Sequence, residues 1–312
     1  MVKKNNWKAW LYLAPVIILM AVFTFYPLVN TGGISFLKNY NYLTGSSEGA
    51  TLDNYGYVLG IVPKVYMGRA IYYSDVVKYA LPNTLFITFV TVPVSILLSL
   101  LIAVGLNAIK PLKKFFQTIF FMPYVTNAIA VGMVFGVIFA DKGLWNTIFQ
   151  LGQQHWIDSS NAGVASDWGH AMFALCTYIV WHSLPFKILI FLSGLQNIDK
   201  QYYDAAKIDS TPGWKVFTKI TVPLLSPQIL YVMITSFIGA FKEYSSVIGL
   251  FGASNASWYS GGHELYTVVY YIYDTISNGT VQLGAAAAVM LFLIIMLFTA
   301  IQFWVSKKRV HY

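Results

Sequence analysis

The sequence predicts an all-α membrane protein with six transmembrane helices and both termini in the cytoplasm. Three observations predict it. Apolar residues fill 57% of the 312 positions and charged residues only 10%, against about a quarter charged in an ordinary soluble domain. Six apolar stretches approach or exceed the roughly 20 residues that cross a hydrocarbon core at about 1.5 Å per residue. Lys and Arg crowd into alternate connections between those stretches. The chain therefore reads as one transmembrane domain over residues 1–312.

The first stretch, Trp10–Val29, follows Lys3, Lys4 and Lys8. A signal peptide also places a basic start before an apolar run. This run is long, and Phe25-Tyr26-Pro27-Leu28 is no small-residue cleavage site, so a retained helix is expected. Residues 31–80 read as a long mixed loop in which Tyr55 and Tyr79 suit an interface. The second stretch, Asn83–Ile109, contains Pro93, which would kink a helix and free a carbonyl. A basic link, Lys110, Lys113 and Lys114 around Pro111, leads to the third stretch, Phe116–Phe139, with Pro123 inside it. Gly132 and Gly136 there have the GxxxG spacing of close helix approach, a spacing that apolar sequence also produces by chance.

Residues 140–170 form a polar loop with Asp141, Lys142, Asp158 and Asp167. The fourth stretch, Ala171–Leu195, carries Trp181, His182, Pro185 and Lys187. The connection Gln196–Pro223 is the most charge-dense interruption of the second half of the chain. The fifth stretch, Leu224–Leu250, has Lys242 and Glu243 towards its far end, and a loop free of Lys and Arg, 251–282, follows it. The sixth, Leu283–Val305, ends in Lys307, Lys308 and Arg309.

With the N-terminus inside, the cytoplasmic segments hold thirteen Lys and Arg and the outer loops five, Lys38, Lys64, Arg69, Lys78 and Lys142. That bias fixes the expected orientation. It also accounts for the net charge of +8, so nucleic acid is not needed as a partner. The single cysteine, Cys176, permits no intrachain disulfide.

No phosphate loop, HExxH, CxxC pair or GxSxG elbow is present. His263-Glu264 lacks the second histidine that zinc would need. Energy must then come from a gradient or from another subunit. Gradient-driven carriers keep ionisable groups deep in the membrane. Lys187 is near enough to the inner end of its span to snorkel, and Lys242-Glu243 reads as an interfacial or locally paired couple near the outer face. His182 is the one candidate relay residue, with helix packing as its plainer role.

The Gln196–Pro223 connection points to a soluble partner. Asp199 is placed to cap a helix from Lys200 to about Asp209. Ala205 and Ala206 would leave room for a partner surface, beside Tyr202 and Ile208. Thr211-Pro212-Gly213 should break that helix, and Trp214–Ile220 could form a second short one. A solvated surface hairpin is the plainer reading of the same residues.

Asp204-Ala205-Ala206, Ser210 and Ile220-Thr221-Val222-Pro223 resemble the EAA motif of permease subunits of binding-protein-dependent ABC importers. Their spacing matches EAA, three residues, Gly, nine residues, I-x-L-P. Asp204, Ser210 and Val222 depart from it, and with Ser in the glycine position the bend is expected at Pro212-Gly213. QTIFFMPYVTNAIAVGMVF, FLSGLQNIDKQYYDAAKID, ITVPLLSP and TVVYYIYDTISNG are similar to the carbohydrate-uptake branch. The insert Gly252–Gly262 stands where that branch often has a shorter glycine-rich turn.

The resemblance implies a second permease in a heterodimer, two cytoplasmic ATPases that carry the ATP and Mg, and an extracytoplasmic solute-binding protein. This chain would bind no cofactor and catalyse nothing itself. It implies that Asp204, Ala205, Ala206, Ser210, Pro212, Gly213, Ile220 and Pro223 couple to the ATPase. It implies a sugar substrate and a bacterial or archaeal plasma membrane. Trp181, His182, Glu243 and Tyr244 are candidates for the substrate path, because aromatic faces stack on sugar rings and polar groups meet hydroxyls. A gradient-driven sugar carrier working without an ATPase is the alternative, and a membrane transferase for lipid-linked sugar the third reading.

Overall fold

In a computed structural model, residues 6–66, 69–71, 74–109, 113–152, 154–157, 168–252 and 265–306 are described. His263-Glu264, most of the insert after Gly252 and the C-terminal basic cluster lie outside these residues. The chain forms two compact units, Met1–Lys78 with Tyr270–Leu293, and Tyr79–Val269 with Ile294–Tyr312.

Eleven helices matter here. They are α1 (Trp10–Ser35), α2 (Val76–Ala108), α3 (Lys113–Val125), α4 (Ala128–Ile138), α5 (Trp168–Gln196), α6 (Lys200–Ile208), α7 (Gly213–Leu224), α8 (Ser226–Phe241), α9 (Ser245–Phe251), α10 (Val268–Ser277) and α11 (Val281–Ser306). Four of them, α1, α2, α5 and α11, are each long and apolar enough to cross a membrane. The count reaches six when the bent pairs α3–α4 and α7–α8 each make one span.

The breaks in these pairs are where the structure departs from the expected spans. The third stretch is no single helix, because α3 and α4 meet at 105°. Asn127 causes the restart: its Oδ1 accepts the backbone N–H groups of Ile129 at 2.9 Å and Ala130 at 3.4 Å, an N-cap within an apolar run. The fifth stretch ends early. α8 has 16 residues, about 24 Å of helix, and the chain restarts as α9 after Lys242-Glu243-Tyr244.

In the first unit α1 is covered by none of its own chain over its most apolar window. The expected mixed loop after it is ordered. Asn54 is buried and donates to the carbonyls of Ser35 and Leu37, both at 2.9 Å, while Tyr55 pairs with Ser35 Oγ at 2.7 Å. Two short strands, β1 (Lys64–Tyr66) and β2 (Arg69–Ile71), form an antiparallel hairpin with Val65 opposite Ala70. That hairpin is a small exception to an otherwise helical chain.

The second unit is built on α2 against α5. Small polar residues on α2 allow the approach, and Thr84, Ser95 and Ser99 return their hydroxyls to their own helix carbonyls at 2.7–3.0 Å. Below them Leu100, Ala103 and Leu106 pack on Ile188, Phe191, Leu192 and Leu195, with Leu225 and Val232 closing the core. The GxxxG spacing is used by α4 against α9. A Cβ on Gly132 would lie 2.6 Å from the carbonyl carbon of Gly249, so only glycine fits that crossing.

Candidate functional site

Two places in the second unit combine exposed or enclosed chemistry with a built geometry. The first is a cavity of about 290 Å³ between α2, α3, α5 and α8, reaching Glu243 at the α8 end. Tyr124, at the end of α3, stacks on Phe186 of α5 with ring centroids 5.7 Å apart and planes at 19°. The pair gives the cavity an aromatic wall. Thr91, Ser183, Thr235 and Ser236 supply hydroxyls around it.

Of the four residues expected on a substrate path, His182 and Glu243 line this cavity and Trp181 and Tyr244 do not. Trp181 instead packs its ring 5.2 Å from Phe135 of α4. Tyr244 lies in the break before α9. His182 sits with its ring 5.8 Å from Tyr178, and its Nε2 has no hydrogen-bond partner among the described residues. Glu243 Oε1 accepts the Ser246 N–H at 3.0 Å and so caps α9. Among the described residues no ion pair joins Lys242 to Glu243, so of the two expected arrangements, interfacial or locally paired, the local pair is not formed.

Lys187 overturns a second expectation. It does not snorkel: it is 6% exposed, and its Nζ donates to Ser95 Oγ on α2 and to Ser183 Oγ at 3.2 Å. It also lines the cavity. Tyr124, Phe186 and Lys187 were absent from the expected set. A lysine inside an apolar span was the signal for the third, since burial is costly without a function.

The second place is the connection between α5 and α8. Asp199 caps α6 as expected, its Oδ1 accepting the Gln201 N–H at 2.9 Å. The bend is not where Pro212-Gly213 was expected to put it. Ser210 itself takes φ +50°. Its N–H donates to the Lys207 carbonyl at 3.0 Å, and the Thr211 N–H reaches back to Ala206 at 2.9 Å. These two bonds form a Schellman ending with serine in the left-handed position. Pro212 accepts from Lys215 at 2.8 Å and starts α7.

Ala206 is buried within its own chain, a correction to its expected role as a contact surface; Ala205 is exposed. Asp204 is exposed and pairs with Lys207 at 3.0 Å. Ala205, Ala206 and Ile220 line a shallow cavity of about 400 Å³ with Asp199, Tyr202 and Thr211. Large apolar side chains stand uncovered beside it, Ile208 at 84% and Trp214 at 72% exposure. Pro223 lies in the last turn of α7, two residues before the 68° bend into α8. Among the described residues no three His, Cys, Asp or Glu are grouped to hold a metal.

Residues 95–311 match the family described as binding-protein-dependent transport system inner membrane component. The chain belongs to that family. The EAA-like resemblance is therefore borne out at the level of family, and this transport-system component has relatives over nearly its whole length. It is 30% identical over 306 residues to the arabinooligosaccharides transport system permease protein AraP of Bacillus subtilis (strain 168), covering 95% of this chain and 88% of the relative. It is 29% identical to the lactose transport system permease protein LacF of Rhizobium radiobacter, covering 96% and 94%. A crystal structure of a bacterial ABC transporter involved in the import of the acidic polysaccharide alginate matches 98% of this permease and 96% of that chain, with a TM-score of 0.75 at 16% identity. That last likeness speaks for the fold.

Proposed function

We propose that this chain is one of two permease subunits of an ATP-driven importer that takes sugars, oligosaccharides among them, from an extracytoplasmic solute-binding protein. The single observation that carries the coupling half is α6 with its turn: a capped helix carrying uncovered Tyr202 and Ile208 beside a shallow groove, followed by uncovered Trp214 at the start of α7. An apolar helix face of that kind suits a groove on a soluble ATPase. ATP and Mg belong to that partner. The oligosaccharide and disaccharide named for the two relatives support the substrate class, as does the Tyr124–Phe186 wall with hydroxyls around it.

In this reading the termini and the α5–α8 connection face the cytoplasm of a bacterial or archaeal cell, a placement that the distribution of Lys and Arg supports. Closure of the ATPase pair draws two such connections together and opens the helices outward; hydrolysis returns them. The differential contact is made by Asp204, Ala205 and the exposed apolar residues, with Ser210, Pro212, Gly213, Ile220 and Pro223 shaping the connection.

Asp204→Lys and Ala205→Trp, in the complete transporter reconstituted in vesicles, test it. Sugar uptake and sugar-stimulated ATPase activity should both fall at least about tenfold while the subunit stays in the complex. Normal coupled ATPase activity in both variants would sink the coupling role. His182, Lys187 and Glu243 around one cavity are what a gradient-driven carrier would use, so uptake by the purified chain without ATPase subunits would replace this reading by that one.

A further inference from the structure

We infer that the cavity between α2, α3, α5 and α8 selects saccharides bearing an anionic group, carboxylate or phosphate, and that Lys187 is its anchor. This rests on the reading of the chain as a sugar permease and goes on to name the charge of its cargo. Lys187 is 6% exposed and lines the cavity from within a 29-residue apolar helix, nine residues before its end. An ammonium in such a place is costly unless a counter-charge meets it.

Next to the ammonium the protein supplies hydroxyl oxygens and no carboxylate. Ser95 donates its hydroxyl proton to the Val92 carbonyl at 3.0 Å, and Ser183 donates to Val180 at 2.9 Å. Their lone pairs are thus left to accept from Lys187 Nζ. Two of three ammonium protons are held, and the third is left for the cavity. Among the described residues no carboxylate lies within ion-pair distance of Lys187.

The cavity has one other charged group, the carboxylate of Glu243, which is held at the α9 end by the Ser246 N–H and forms no ion pair with Lys187. The cavity therefore offers a fixed cation on α5, an aromatic wall at Tyr124–Phe186, neutral hydroxyls on α2 and α8, and a carboxylate confined to its α9 end. A sugar ring on the wall with its acidic substituent towards Lys187 and its hydroxyls towards Glu243 satisfies all of them. A neutral sugar leaves the ammonium without a counter-charge.

The test is calorimetric binding to the assembled, nucleotide-free transporter in nanodiscs, without solute-binding protein. Two matched pairs serve as probes: digalacturonate against lactose, and glucose 1-phosphate against glucose. Wild type should bind the acidic member of at least one pair about tenfold more tightly, about 1.4 kcal/mol. The pair that shows the gap tells carboxylate from phosphate. Lys187→Met should close the gap to about twofold, and Lys187→Arg should keep it. Equal binding of acidic and neutral members by wild type overturns the inference even if Lys187→Met fails to assemble. A gap that survives Lys187→Met overturns it too. Either result leaves the sugar-permease reading standing; binding of no saccharide in any pair overturns both.

Discussion

Ser210 offers a sharp perturbation because its backbone angle and its neighbours give opposite expectations for three substitutions. At φ +50° a side chain crowds the following carbonyl, which costs about 1–2 kcal/mol for a residue other than glycine. Ser210→Gly removes that cost but adds unfolded-state freedom, about 0.5–1 kcal/mol in the other direction. The net gain should be about 0.5–1 kcal/mol, a two- to fivefold shift in the local opening equilibrium. Ser210→Val should weaken the turn by at least as much, since a branched Cβ fits this region worst. Gly213→Ala should do little. Gly213 has no positive φ and a Cβ there would meet nothing within 4 Å.

The assay is hydrogen exchange at the Thr211 amide, whose 2.9 Å bond to Ala206 closes the turn. Exchange should slow two- to fivefold in Ser210→Gly, quicken in Ser210→Val and stay within about twofold in Gly213→Ala. Faster exchange in Gly213→Ala than in Ser210→Val would refute the placement of the bend at Ser210.

Two further outcomes are expected. Gly132→Leu should lower the thermal unfolding midpoint of the purified complex, because its side chain meets the Gly249 backbone and overpacking costs about 1–3 kcal/mol. An unchanged midpoint would mean that α4 and α9 do not cross there. Tyr124→Ala should weaken saccharide uptake several-fold, whereas Trp181→Ala, packed on Phe135 outside the cavity, should leave substrate preference unchanged. A change of preference in Trp181→Ala and none in Tyr124→Ala would move the site.

The long apolar runs were legible because crossing a membrane is a demand on composition over about 20 residues. The α6 helix was legible because Asp199 and Lys200 follow local capping rules that need no tertiary contact. The α3–α4 corner also had a local signal, Asn127 in a run of apolar residues, but span length outweighed it. The cavity was only half legible. Lys187 is tied to Ser95, which is 92 positions away, and Tyr124 reaches Phe186 across two helices. Pairings of that kind depend on which helices become neighbours, and residue type alone does not say. The bend at Ser210 was misplaced for a different reason. Serine carries no mark of positive φ, yet it stood in the motif position that asks for glycine, and position was the better guide.

The corner between α3 and α4 bears on how the chain is built into a bilayer. Each half alone, 13 and 11 residues, is too short to cross, so only the two together have the length of a span. Bending it then strips carbonyls of their helical partners in a place without water. Thr126 supplies one replacement from within the corner by donating its hydroxyl to the Met122 carbonyl at 3.2 Å, and Tyr178 on α5, which is synthesised later, ties down the start of α4 by donating to the Ala128 carbonyl. The corner is therefore held partly by its own residues and partly by a helix that the ribosome delivers later.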